Sequence, residues 1–181
     1  NAYTDILSAS PLIKVAEIVM VVFFVIHIFT SVQLTLENRS ARHEGYAMAV
    51  SAGSRTIMSS YMFHTGSVVF IFLVLHIVTF KYGNWSNDPA MTASVGNQTL
   101  YDLVVSSFSN SIYAIAYILG MIGVGFHLNH AFQSAFQTLG LNHKKYTPLI
   151  KSFGILYSIV IAIGFASFPA YFLYINLSTG N

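Results

Sequence analysis

The sequence predicts an all-α protein, a transmembrane helical bundle with four membrane-spanning helices, and three observations carry that prediction. Four apolar runs of more than 20 residues divide the chain, at about 11–36, 60–82, 112–137 and 149–175. The 181 residues are 55% hydrophobic and 8% charged, against about 25% charged in an ordinary soluble domain. The few charges gather in the connections rather than in the runs. A solvated globular protein is excluded on composition alone, and the chain reads as one membrane-embedded domain over 1–181.

Each run is long enough, at about 1.5 Å per residue, to cross a hydrocarbon core about 30 Å thick. Backbone amides in lipid must be satisfied within their own segment, so the runs are expected to be helices. Their Val, Ile and Phe content does not argue for strands, because the alternation of a membrane barrel is missing. Cysteine is absent, which excludes a disulfide framework, a zinc ribbon, a protein-ligated iron–sulfur cluster and thiol catalysis. The net charge of +2 reflects loop asymmetry and not a nucleic-acid-binding face.

The connections assign an orientation. Residues 37–59 carry Arg39, Arg42 and Arg55 against Glu37 and Glu44, and residues 138–148 carry Lys144 and Lys145, with Lys151 just beyond. The long middle connection, 81–111, is rich in Asn, Ser, Gly and Thr, and sets Lys81 against Asp88 and Asp102. By the positive-inside rule the first and third connections face the cytoplasm and the second faces outward, so both termini lie outside. Tyr113, Tyr117, Tyr171 and Tyr174 then fall near outer helix ends, as interfacial aromatics do. Residues 1–10 have no signal-peptide features and read as an outer loop entered from an earlier helix, so a preceding helix is expected, either absent from this chain or supplied by another.

Five histidines, His27, His64, His76, His127 and His130, lie inside the apolar runs. Histidine within a membrane helix is expensive and marks a cofactor, a proton path or a paired polar site. With cytoplasmic helix ends near Leu36, Ser60 and Phe136, His27 and His127 each lie nine residues in, about 13 Å. His76 lies sixteen residues in, about 24 Å and close to the outer side. Two imidazoles at one depth on different helices can clamp a haem iron from both faces, an arrangement suited to electron transfer. Gly120, Gly123, Gly125 and Gly66 would let a macrocycle approach, although helix packing in lipid uses the same residues. His76 has no partner at its depth in this chain, and the expected earlier helix would supply one. His64 either bonds a propionate or faces the interface. His130, one turn from His127, is a rival ligand, and His43 and His143 read as solvated loop residues.

Three stretches carry a family likeness: Asn-Ala-Tyr-Thr-Asp at 1–5, Leu-Thr-Leu-Glu-Asn-Arg at 34–39, and Gly-Phe-His-Leu-Asn-His-Ala-Phe-Gln-Ser-Ala-Phe-Gln-Thr-Leu-Gly-Leu-Asn-His-Lys-Lys-Tyr-Thr-Pro at 125–148. Together they resemble the cytochrome b subunit of succinate dehydrogenase/fumarate reductase, in its single-subunit dihaem form of the Bacteroidetes type. The resemblance extends over essentially the whole chain and implies five membrane helices, of which this chain holds the second to fifth, and two b haems. It implies His27 and His127 as ligands of the haem nearest the dehydrogenase and His76 as one ligand of the distal haem. It further implies a bacterial inner-membrane subunit of complex II in the respiratory chain and tricarboxylic acid cycle. Such a subunit passes electrons between flavoprotein and iron–sulfur partners on the cytoplasmic face and a quinone, menaquinone by resemblance, with no succinate chemistry of its own.

Quinone reduction also needs a proton donor. Glu17 is the only carboxylate well inside an apolar run. It is a candidate for a quinone or proton site on the outer side, or else for an ion pair with Lys14 that snorkels to the interface. The arginines and lysines of the first and third connections set topology, dock a partner or bind propionates. Two alternatives stand beside the main reading: the cytochrome b subunit of another quinone-linked dehydrogenase or hydrogenase, and a haem-free anchor whose histidines tie helices together.

Overall fold

The computed structural model describes residues 10–41, 61–83 and 99–179. Its elements are all helical: α1 (Pro11–Ser40), α2 (Met62–His76) continued by a π-helical turn (Ile77–Lys81), a short α3 (Leu100–Phe108), α4 (Ser111–Thr138) and α5 (Thr147–Thr179). Four of these, with α2 and its π turn taken together, are long and apolar enough to cross a membrane. They match the four apolar runs. Each long helix overruns its run by a few residues or stops just short of it, because polar residues at the ends still continue the hydrogen-bond ladder. His64 accordingly is the third residue of α2 rather than four residues inside a boundary at Ser60.

The described helices fall into two compact units, α1 in one and α2 to α5 in the other. Helix α1 opens with Pro11 at its first position, where the missing N–H is no loss. Thr30 and Thr35 return their hydroxyls to the carbonyls of Ile26 and Ser31, at 2.8 and 2.7 Å. Gln33 donates to the Glu37 carboxylate at 2.8 Å. Most of its Val, Ile and Phe side chains are exposed, with Ile13, Phe24 and Ile28 only partly so.

In the second unit α2 and α4 run antiparallel. Gly123 lies against Val68, and Gly120 against the ring of Phe72. Helix α5 returns antiparallel along α4, with Gly125 facing Ala162 and Gly154 facing Phe132. The α4–α5 turn closes with the Leu141 N–H donating to Phe136 O at 2.9 Å and the Gly140 N–H donating to Gln137 O at 3.1 Å. This pair of bonds is a Schellman motif, and it needs the left-handed φ of 75° that Gly140 adopts.

Helix α3 was not foreseen, since residues 81–111 read as an irregular loop. Its start carries a capping box: Asp102 N donates to Thr99 Oγ1 at 3.2 Å and Thr99 N donates to the Asp102 carboxylate at 3.1 Å. The Thr99-x-x-Asp102 spacing was visible in the sequence. Leu103 and Phe108 are buried from this helix. Phe108, Ala114 and Tyr117 form the core, with Phe72, Phe80 and Phe172 packed on it. Asn176 of α5, 6% exposed, ties the end of α3 down by donating to the carbonyls of Phe108 and Ser109 at 3.1 and 3.0 Å.

Two outcomes are expected. Asn176→Leu leaves those carbonyls short of a donor and costs about 1–3 kcal/mol, read as a lowered unfolding midpoint in one detergent. The hydrogen bonds from Thr99 favour the charged Asp102 carboxylate and hold its pKa below the ordinary value. The contribution of the capping box is therefore present above the usual carboxylate range and fades as pH falls through the lowered value. Carbonyl NMR titration is expected to place the Asp102 midpoint below the ordinary aspartate range, and Thr99→Ala to raise it.

Candidate functional site: the seat of two histidines

The α2–α4 contact brings His127 against α2. Its ring lies beside Gly66, where a Cβ would stand 3.3 Å from His127 Cε1 and 3.8 Å from Nδ1. The next residue along, Thr65, places its hydroxyl 3.3 Å from Nδ1. The same hydroxyl lies 3.1 Å from the carbonyl of Met62. Both Thr65 and His127 are half-buried. A methyl group at 66 would crowd the imidazole by a few tenths of an ångström.

His76 ends the regular part of α2 and sits in an aromatic stripe. Phe72 and Phe80, one turn to either side, have ring centroids 6.0 and 5.3 Å from it, and Tyr117 of α4 lies at 6.2 Å. The imidazole itself stays exposed on the flank of the helix. Directly after it the ladder widens to a π turn, with Tyr82 N donating to Ile77 O at 3.1 Å. Such turns recur at functional sites. Within this turn Thr79 accepts from Tyr113 at 2.6 Å, and the Tyr113 and Tyr117 hydroxyls are 3.1 Å apart. A phenol has one proton, so Tyr113 spends its own on Thr79 and receives that of Tyr117.

His27 is exposed on α1, thirteen residues before its end at Ser40. Glu17 and Lys14 lie one turn apart on the same helix, both exposed. His64 contacts its chain neighbours Tyr61 and Phe63, with centroids at 5.9 and 6.1 Å, and His130 is half-buried on α4. His143 is exposed, as expected of a loop residue, and organises the start of α5. Its Nδ1 accepts from Lys145 N at 3.2 Å, and its own N–H donates to Thr147 Oγ1 at 3.0 Å. Arg42, His43, Glu44, Arg55 and Asp88 lie outside the described residues.

Of the two uses the sequence left open for Gly120, Gly123 and Gly125, macrocycle approach and helix packing, the described helices show packing. Gly120 receives the ring of Phe72, Gly123 receives Val68, and Gly125 meets Ala162 of α5. They are helix-packing positions, as small residues in apolar bundles commonly are. Gly66 alone adjoins a histidine. Among the described residues no three His, Asp or Glu side chains converge. A bare-ion site with three or four protein ligands is therefore not formed among them. A porphyrin iron brings four donors of its own and asks the protein for two.

No family model, curated protein or solved structure matches the chain.

Sequence reading missed Thr65 and the Tyr117–Tyr113–Thr79 chain. Hydroxyl residues in apolar runs are common, and only the register between α2 and α4 singles these out. The order of the hydroxyls has a measurable consequence. Tyr113→Phe removes two hydrogen bonds at once, that with Thr79 and that with Tyr117, and costs about 1–3 kcal/mol. Tyr117→Phe keeps the Tyr113–Thr79 bond and costs less, about 0.5–1.5 kcal/mol. Unfolding of both variants in the same detergent gives the ranking.

Proposed function

We propose that this chain is the haem b-bearing membrane anchor of a succinate:quinone oxidoreductase, or of its fumarate-reducing counterpart, in a bacterial inner membrane. The observation that carries the proposal is the seat of His127: an imidazole within a membrane-length apolar helix, its edge against a glycine and its Nδ1 against a hydroxyl. A metal ligand needs its second nitrogen engaged, since that contact fixes ring orientation and tautomer. The likeness of residues 125–148 to the cytochrome b subunit supplies the identity of the metal group.

In this reading His127 and His27 hold the haem nearest the cytoplasmic face, and His76 is one ligand of a second haem whose other ligand comes from a further helix. When bound, the haems supply the one-electron centres that link an iron–sulfur partner to menaquinone. What the chain itself contributes is seating and exclusion of water. Phe72, Phe80 and Tyr117 line one side of His76 with aromatic rings, which would disfavour charge there and raise the reduction potential. Glu17, in a helix otherwise without acids until Glu37, exchanges a proton with quinone on the outer side. The basic residues near the ends of α1 and α5, Arg39, Lys144 and Lys145, set topology and face the flavoprotein and iron–sulfur partners.

Reduced-minus-oxidised spectra of membranes test this. The unmutated protein is expected to give the sharp alpha band of bis-histidine haem. His127→Ala and His27→Ala each remove the same component and leave the His76-dependent one, while His130→Ala removes neither. A wild type without that band overturns the proposal, and loss in His130→Ala in place of His127→Ala moves the ligand role to His130. Copurification of covalent flavin with three iron–sulfur clusters separates complex II from other quinone-linked partners.

A further inference from the structure

We infer that Thr65 is a positioning residue that fixes the tautomer of His127, keeping the proton on Nδ1 and leaving the lone pair on Nε2 as the metal-binding atom. The inference rests on the haem-anchor reading for its redox consequence, while the tautomer itself follows from atoms within the α2–α4 unit. A threonine hydroxyl has one proton and two lone pairs. Thr65 Oγ1 lies 3.1 Å from Met62 O and 3.3 Å from His127 Nδ1. The Met62 carbonyl can only accept, and we assign the hydroxyl proton to this contact, the shorter of the two. What remains toward His127 is a lone pair, and a bond there requires Nδ1 to donate. A neutral imidazole carries a single N–H, so Nε2 is bare.

Gly66 completes the device. A Cβ at that position would stand 3.3 Å from Cε1, the carbon between the two ring nitrogens. The ring is thus located by a missing side chain and oriented by the neighbouring hydroxyl. The chemistry follows from how imidazole binds metals. A ligating histidine whose other N–H is held by an acceptor is a stronger donor, and loss of such a partner commonly weakens metal affinity about 10–100-fold. A stronger donor favours the ferric over the ferrous state and lowers the potential.

The test is the isosteric Thr65→Val, which removes the acceptor, beside Thr65→Ser, which keeps it, in membranes carrying the full complex. In Thr65→Val, ferric-haem affinity at the His127 site is expected to fall about tenfold. With ferrous affinity unchanged, that raises the midpoint potential by about 59 mV for a one-electron couple. The His76-dependent component stays in place, and Thr65→Ser restores the wild-type potential. Gly66→Ala, which keeps the hydroxyl but pushes the ring by a few tenths of an ångström, gives a smaller shift. An unchanged potential in Thr65→Val, or a Thr65→Ser that behaves like valine, overturns the inference while the haem reading stands. If wild-type membranes hold no haem, the parent reading fails, and the histidine ¹⁵N spectrum of the wild-type protein decides the tautomer alone. Assigned by its loss in His127→Ala, that signal is expected to show protonated Nδ1 and bare Nε2. The opposite tautomer overturns the inference, and this readout also decides should Thr65→Val fail to accumulate.

Discussion

The close approach of α2 to α4 is the constraint on which the rest of the four-helix unit depends. In hydrocarbon there is no hydrophobic driving force between helices, so association relies on dispersion and on the few polar bonds that cross. Dispersion falls off within an ångström of contact, which makes backbone proximity decisive. Gly66, Gly120 and Gly123 provide it, each admitting one side chain of the facing helix: an imidazole, a phenyl ring and an isopropyl group. Two polar links cross at opposite ends of the same seam, Thr65 to His127 and Tyr113 to Thr79. Apolar matching sets the distance, and the polar bonds fix the register.

That register gives His127 and His76 different surroundings. His127 is set against glycine and hydroxyl near the start of α2, while His76 at the other end is set among aromatic rings. A polar contact on a ligand's second nitrogen strengthens its donation, whereas an apolar cage disfavours added charge. One helix pair thereby sets two of its imidazoles in unlike surroundings, one beside a hydroxyl and one beside aromatic rings.

Much of this architecture was legible in the sequence, because hydrophobic length alone decides where membrane-spanning helices lie. The four runs needed no tertiary information, and even the α4–α5 turn was marked by Gly140. Helix α3 escaped because its nine residues sit in a polar, Asn- and Ser-rich stretch whose composition outweighed the Thr99–Asp102 cap. Glycines read as room for a cofactor became room for Phe72 and Val68, since composition states how small a position is and not what fills it. Thr65 and Tyr113 could not be found at all. Their importance comes from pairing with residues 62 and 34 positions away, and such pairings exist only once two helices have docked.

The widened turn at Ile77–Lys81 leaves α2 with a length that is not interchangeable by single residues. An ordinary α-helical turn over the same stretch would advance each later residue by about 100° where the wider turn advances it less. Thr79, reached by Tyr113 at 2.6 Å, would then swing off the seam. A single-residue insertion or deletion, harmless in most surface connections, would here rotate the face that carries Thr79 and Phe80.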